Sequence, residues 1–371
     1  MRNRKTRLVP LLFVVASSLA ASSPDVYEQH NTNEPEVKVD TVRKTAPVAR
    51  PETSPEVVVI LSDDLIPWLE AENWWGSTEH LEQLDVPHVM IAAIKPAWKT
   101  RAAKLPVEVK KELFYRLMLP LVMHANTMVM TRRNGLFQAQ EELTTDGAIS
   151  MESLFLVQDL AQLLPDYDAT RIKLLSPDSK RLPGMIDELL YRVDIVPPGL
   201  ALGQAAYESG YGTSRFAVEG NALFGQWTYG GEGIKPRGQR ANKGDYRIKA
   251  FDWPFDSVRS YFINLMSHRA YEDFRRLRAE MRAAGQPLDS LTLADGLTSY
   301  SERGQIYVDK LKGMIRSHGL EIADKAVFRD EPIRFIVTEQ TPGEAEATRK
   351  ELAKMRESGE LADIFERMYL D

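Results

Sequence analysis

Cysteine is absent from all 371 residues. That excludes a disulfide framework, a thiolate nucleophile, a cysteine-held metal or iron–sulfur site, and a lipid-modified amino-terminal cysteine. Long apolar runs are missing too: Leu8 to Ala16 falls well short of the roughly 20 residues that span a bilayer, and no later segment is apolar enough. Basic charge is not in excess. The formal net charge is −6, and Arg2, Arg4, Lys5 and Arg7 all precede the first acidic residue, so the body is more acidic than the whole. A dedicated nucleic-acid binder is therefore not expected. The six histidines are scattered without a His-Glu-x-x-His pattern, and Ser209 lies outside any Gly-x-Ser-x-Gly elbow. Gly238 and Gly244 are wrongly spaced for a phosphate-binding loop, and Asp245 stands where that loop needs lysine. Neither a cofactor nor a metal is expected.

What is present is 43% hydrophobic and 27% charged, the balance of a globular protein long enough for one large domain or two smaller ones. The basic start, the apolar run and the small residues Ser17 to Ser23 follow signal-peptide grammar over residues 1–21, with cleavage expected after Ala20 or Ala21. A periplasmic or secreted protein with no membrane-spanning segment after processing is the expectation. Residues 22–55, punctuated by Pro35, Pro47, Pro51 and Pro55, read as a disordered linker.

Two short apolar runs follow, Glu56–Leu61 and Val86–Ile94; the first reads as a strand, and the pairing of the second is not assignable. From Val107 the apolar spacing becomes helical and continues past Pro120 to Met130. Further helices are predicted near Ser150–Leu164, Pro183–Val193, Pro198–Ser209, Asp256–Met281, Leu291–Leu297 and Gln305–His318, with Gly319 as the last cap. Gly225–Phe251, rich in Gly, Lys and Arg, reads as a small hairpin set into a helical domain. Its basic residues Lys235, Arg237, Arg240, Lys243, Arg247 and Lys249 suit a solvated loop, with contact to anionic cell-wall polymers as the alternative. Beyond Leu320, Phe328–Val337 reads as extended and Pro342-Gly343 opens a charged helix to about Asp371. The fold class is mainly α (α+β), helical with a small β-hairpin lobe.

The informative segment runs from Val196 to Phe216. Pro197 and Pro198 start a helix and Gly210 and Gly212 end it, leaving Glu208 in the last turn beside Gln204, Ala205 and Ala201. A carboxylate there gains nothing from the helix dipole, and partial burial without a nearby cation would raise its pKa, as a general acid requires. Taken alone, these features suit a solvated carboxylate at a helix end at least as well.

The surrounding words weigh on the other side. Gln204-Ala205-Ala206-Tyr207-Glu208-Ser209-Gly210-Tyr211-Gly212 resembles the catalytic helix of the glucosaminidase family, glycoside hydrolase family 73. Asn221-Ala222-Leu223-Phe224-Gly225-Gln226-Trp227 is similar to that family's Asn-x-Leu-Phe-Gly segment in its Bax-type bacterial branch. Phe255 to Tyr261, His268-Arg269-Ala270-Tyr271, and Tyr300-Ser301 through Gly304 to Tyr307 resemble its later elements, in family order. Leu119-Pro120, Asn126 and Arg132-Arg133 extend the likeness upstream.

The resemblance implies a lysozyme-like catalytic domain over 86–320, with its core at 184–320, and an extension of unassigned role over 321–371. It implies hydrolysis of the β-1,4 bond after N-acetylglucosamine in peptidoglycan, whose glycan strands are the partner. Glu208 falls on the general acid and Tyr300 on a family tyrosine with a catalytic role. A second carboxylate is assigned to the hairpin lobe, where Glu232 and Asp245 are the candidates. Gln204, Tyr211, Asn221, Phe224, Gln226, Trp227 and Tyr307 are the implied substrate-binding residues, aromatic faces for sugar rings and amides for hydroxyls. Two other readings stay open: a lytic transglycosylase or muramidase on the same fold, and a wall-binding protein without activity. No protein partner is indicated.

Overall fold

Residues 55–78, 82–165, 167–229, 233–238 and 245–370 are described in the computed structural model, the side chains of 366–370 excepted. All lie within the compact unit 42–371. The expected leader, nearly all of the expected linker, Glu232, Arg240 and Lys243 fall outside the described residues.

Helices dominate: α1 (Leu65–Ala71), α2 (Pro96–Ala102), α3 (Val107–Asp146), α4 (Met151–Leu160), α5 (Ala169–Lys173), α6 (Leu182–Arg192), α7 (Pro198–Ser209), α8 (Arg215–Gly220), α9 (Pro254–Ser267), α10 (Glu272–Ala283), α11 (Ser290–Ala294), α12 (Gln305–Ser317), α13 (Pro342–Ser358) and α14 (Glu360–Leu370). The strands are short: β1 (Glu56–Leu61), β2 (Asp85–Val86), β3 (Val89–Ile91), β4 (Trp227–Thr228), β5 (Gly233–Ile234), β6 (Arg247–Lys249), β7 (Val327–Phe328) and β8 (Arg334–Glu339). The fold is mainly α and lysozyme-like, with a small β lobe. Among the described residues no helix is long and apolar enough to cross a membrane.

The 40-residue α3 is the spine, and α4, α6, α7 and α9 pack on it. It passes through Pro120, which lacks the N–H that would bond the carbonyl of Arg116, four residues back. The indole N–H of Trp74 takes that place, donating to Arg116 O at 2.9 Å, so the helix continues with its freed carbonyl satisfied. Gly147 at φ +72° then ends it.

Two predicted helices prove to be pairs. Asp256–Met281 breaks between α9 and α10 because His268 is extended (φ −75°, ψ 133°) and its ring accepts the Ala270 N–H. The buried Arg275 donates to the carbonyls of Leu265 (2.8 Å) and His268 (3.0 Å), satisfying groups the end of α9 leaves free. The carboxy-terminal helix breaks at Gly359, φ +81°.

The strand pairings join distant segments. β1, β8 and β3 form a parallel sheet with β8 central, in register Val57 with Phe335 and Met90 with Phe335. A central parallel strand is covered on both faces, and Phe335-Ile336-Val337 is accordingly a continuous buried run. α13 packs on β1 and β8, while β2 pairs with β7. The expected hairpin is a three-stranded antiparallel lobe, β4-β6-β5, with Trp227 opposite Ile248.

Candidate active site

α7 is built to be approached closely. Pro198 opens it, and a Cβ on Gly199 would stand 2.7 Å from Ser290 Oγ and nearer still to Leu320 O. A Cβ on Gly203 would press on Ile315 and Leu311 of α12 at 3.0 and 3.1 Å. The Asp324 carboxylate, beyond α12, accepts from Gly199 N (2.9 Å), Ser290 N (2.8 Å) and Ser290 Oγ (2.6 Å), tying the starts of α7 and α11 together. Burial raises the Asp324 pKa to about 6 against those bonds. At the other end Gly210, Tyr211 and Gly212 are all left-handed, with φ of 58°, 60° and 73°. A tyrosine in that conformation is held by its surroundings. Trp98 Nε1 donates to the Tyr211 carbonyl at 3.1 Å, and the Tyr211 ring meets Phe114 and Tyr115 of α3 edge to face.

Glu208 sits in the last turn of α7, half-buried. Burial pushes its pKa above the ordinary carboxylate value, and a hydrogen bond from the Tyr307 hydroxyl pulls the other way. The Phe224–Gly225 turn borders the carboxylate: Gly225 has φ +62°, and a Cβ there would lie 3.6 Å from Glu208 Oε2. The other walls are tyrosines. Tyr300 and Tyr307 stack at 5.5 Å, and Tyr271 and Tyr261 adjoin Tyr300 at 5.8 and 6.5 Å. Burial raises the pKa of all four, so they stand as neutral phenols, with Tyr271, Tyr300 and Tyr307 around the acid and Tyr261 behind them. A carboxyl that keeps its proton beside neutral donors is equipped to protonate a leaving oxygen.

The structure divides the residues singled out from the sequence. Glu208, Tyr300 and Tyr307 come together. Tyr300 donates to the Phe224 carbonyl at 3.1 Å, pinning the turn beside Glu208. Gln204, wholly buried, donates to Tyr307 Oη at 2.9 Å and accepts from Tyr261 Oη at 2.5 Å, so it faces the interior. Phe224 is buried and stacks on Tyr261 at 4.0 Å. The buried Asn221 accepts from Ile94 N and donates to the carbonyls of Phe251 and Asp252, locking the hairpin root. Tyr211 packs against α3 as described. Trp227 is 42% exposed and stacks on Tyr246 at 4.3 Å, with the exposed Tyr229 beside it. Gln226 donates to Ser260 Oγ of α9 at 3.1 Å, as does Lys249 at 3.2 Å. Asp245 is exposed and ion-paired with Lys235 at 3.2 Å. Tyr271 was missed as a wall of this site, although its His-Arg-Ala-Tyr word was in view; a run on the far side of a helix break gives no local sign of where it folds back.

Comparison with known proteins bears on the same segments. The family model for mannosyl-glycoprotein endo-beta-N-acetylglucosaminidase (Glucosaminidase) matches residues 185–320. The chain is 31% identical over 218 residues to Protein bax of Escherichia coli (strain K12), covering 58% of this chain and 72% of that protein. No solved structure matches.

Proposed function

Because the chain belongs to the glucosaminidase family, and so to glycosidase-type hydrolases, we propose that it is an exported enzyme that cleaves the β-1,4 bond after N-acetylglucosamine in peptidoglycan. Glu208 is the general acid. The observation that carries this reading is its carboxyl, raised in pKa by burial and set between the Gly225 turn and the neutral phenols of Tyr271, Tyr300 and Tyr307. The protonated carboxyl gives its proton to the glycosidic oxygen as the C1–O bond breaks and the departing sugar leaves as an alcohol; the oxygen of a water molecule bonds to C1 and gives up a proton to solvent, leaving a reducing end. Tyr300 holds the turn through its bond to Phe224 O. Trp227 and Tyr229 offer exposed rings on the hairpin for sugar faces.

Glu208 is shifted by burial and by Tyr307, and among the described residues no carboxylate contributes to its shift. One acid without a described carboxylate partner also suits a lytic transglycosylase, in which a hydroxyl of the substrate attacks the anomeric carbon. Mass spectrometry of fragments released from purified sacculi separates the two. Reducing N-acetylglucosamine ends are expected; anhydro-muramic ends would replace the proposal by the second reading. Glu208→Gln keeps the shape and loses the acidic proton, so release should fall by about 10²–10⁴-fold. Release above about a tenth of the wild-type rate would remove Glu208 from the role.

A further inference from the structure

Behind Glu208 lies a buried chain of side chains whose donors and acceptors can be assigned one by one. Gln204 and Glu208 are one helical turn apart on α7. Tyr261 Oη lies 2.5 Å from Gln204 Oε1, and Gln204 Nε2 lies 2.9 Å from Tyr307 Oη. Gln204, Tyr261 and Tyr307 are all essentially without solvent exposure, so each of their polar side-chain atoms needs a protein partner. One arrangement of the amide supplies this. Tyr261 donates to the carbonyl oxygen of Gln204 and a Gln204 N–H donates to the oxygen of Tyr307, which leaves the Tyr307 proton for the Glu208 carboxylate, the acid that acts on that hydroxyl. The reversed amide would leave the Tyr261 proton without an acceptor in the core and would draw the Tyr307 proton back to Gln204, away from Glu208.

We propose that Gln204 is a positioning residue for the acid: anchored by Tyr261, it fixes the direction of the Tyr307 hydroxyl so that this hydroxyl donates to Glu208. The proposal deepens the hydrolase reading and rests on it for its catalytic meaning, but the relay itself is a property of the resting protein. Its consequence is a restrained acid. Burial alone would hold the Glu208 proton tightly, whereas a donor aimed at the carboxylate stabilises the ionised form and lets the proton leave. Tyr300, stacked on Tyr307 and bonded to Phe224 O, keeps the phenol ring in the plane this direction needs.

The test follows the Glu208 carboxyl carbon by NMR against pH in protein labelled with ¹³C-glutamate, its resonance identified by its loss in Glu208→Gln. Tyr307→Phe should raise the Glu208 pKa by about one pH unit, since a hydrogen bond to a charged group is worth about that much. Gln204→Met, of similar length and without hydrogen-bonding groups, should raise it in the same direction by about half as much. In the Tyr307→Phe background it should add nothing, because both act through one bond. A folded Gln204→Met protein that titrates like wild type, or that shifts Glu208 equally in both backgrounds, would overturn the relay. Where Gln204→Met does not fold, Tyr261→Phe removes only the anchoring hydroxyl; it too should raise the pKa, and an unmoved titration sinks the proposal. The alkaline limb of sacculus cleavage should move upward with the NMR value. If the carboxyl titrates as expected and no form of the protein cleaves sacculi, the relay stands and the hydrolase reading fails.

Discussion

Single side chains set what the site can do with a proton. Glu208 has a raised pKa, so the protonated form, the one a general acid needs, persists above the ordinary carboxylate range and is lost as pH climbs through the raised value. Cleavage of sacculi measured from acid to alkaline pH should therefore fall on an alkaline limb placed above pH 4.5, the ordinary value. A limb at that value or below would show that the carboxyl behaves as solvated. Trp227 is a different case. It is 42% exposed and held by Tyr246, so Trp227→Ala empties little of the core. Loss of a sugar platform should weaken glycan binding by about 1–3 kcal/mol, while the melting temperature moves little; a collapsed melting temperature with unchanged binding per folded molecule would assign the ring to the core. The sequence words point to Glu208 as the candidate acid, because its motif is contiguous. They were silent on facing. Gln204, Asn221 and Phe224 sit in the same motifs but point inward, since motif spacing places a residue near a site without saying which side of the backbone its neighbours occupy.

At the scale of elements, α7 holds its place by what it lacks. A Cβ on Gly199 would meet Ser290 Oγ and Leu320 O, whereas a Cβ on Gly313 in α12 would meet nothing within 4 Å. Gly199→Ala should therefore destabilise by about 1–3 kcal/mol through overpacking. Gly313→Ala should stabilise by about 0.5–1 kcal/mol through helix propensity. Paired denaturant titrations check the opposite signs, and a Gly199→Ala protein as stable as wild type would mean that α7 and α11 have room to part. Helices were the legible elements, because apolar spacing is local information: α6, α7 and α12 fall close to their predicted bounds. The break between α9 and α10 was not legible. It depends on Arg275 reaching back to Leu265 O and His268 O, a tertiary choice made between residues that each read as helical.

Across the whole molecule, the parallel sheet is what the sequence could least announce. β1 and β8 lie at opposite ends of the chain and pair residue for residue from Glu56 with Arg334 to Leu61 with Glu339, and such long-range pairing leaves no local period. Where this sheet region meets the helical layer, His88 Nε2 and His124 Nδ1 lie 3.1 Å apart. His88 stacks on Phe328 of β7 at 4.0 Å, and His124 of α3 lies against Phe255 of α9 at 5.1 Å. Burial lowers the pKa of His88 to about 4 and of His124 to about 3, from 6.5. Both are neutral when folded at neutral pH, and the unfolded chain takes up protons first on acidification. Stability is then lost as pH falls from about 6.5 toward about 4. Asp324, raised to about 6, and the raised Glu208 work in the opposite sense over the same range, because there the folded state holds the extra proton. The histidine contribution is isolated by comparing wild type with His124→Gln, which keeps a neutral polar side chain that does not titrate. Unfolding free energies should fall more steeply in wild type than in His124→Gln between pH 6.5 and 4. Amide exchange at mildly acid pH should rise first where His88 meets α3, before the helices around Glu208 open. Parallel pH slopes in the two proteins would mean that the imidazole pair is protonated without cost, and that the junction between sheet and helices is wetter than its packing implies.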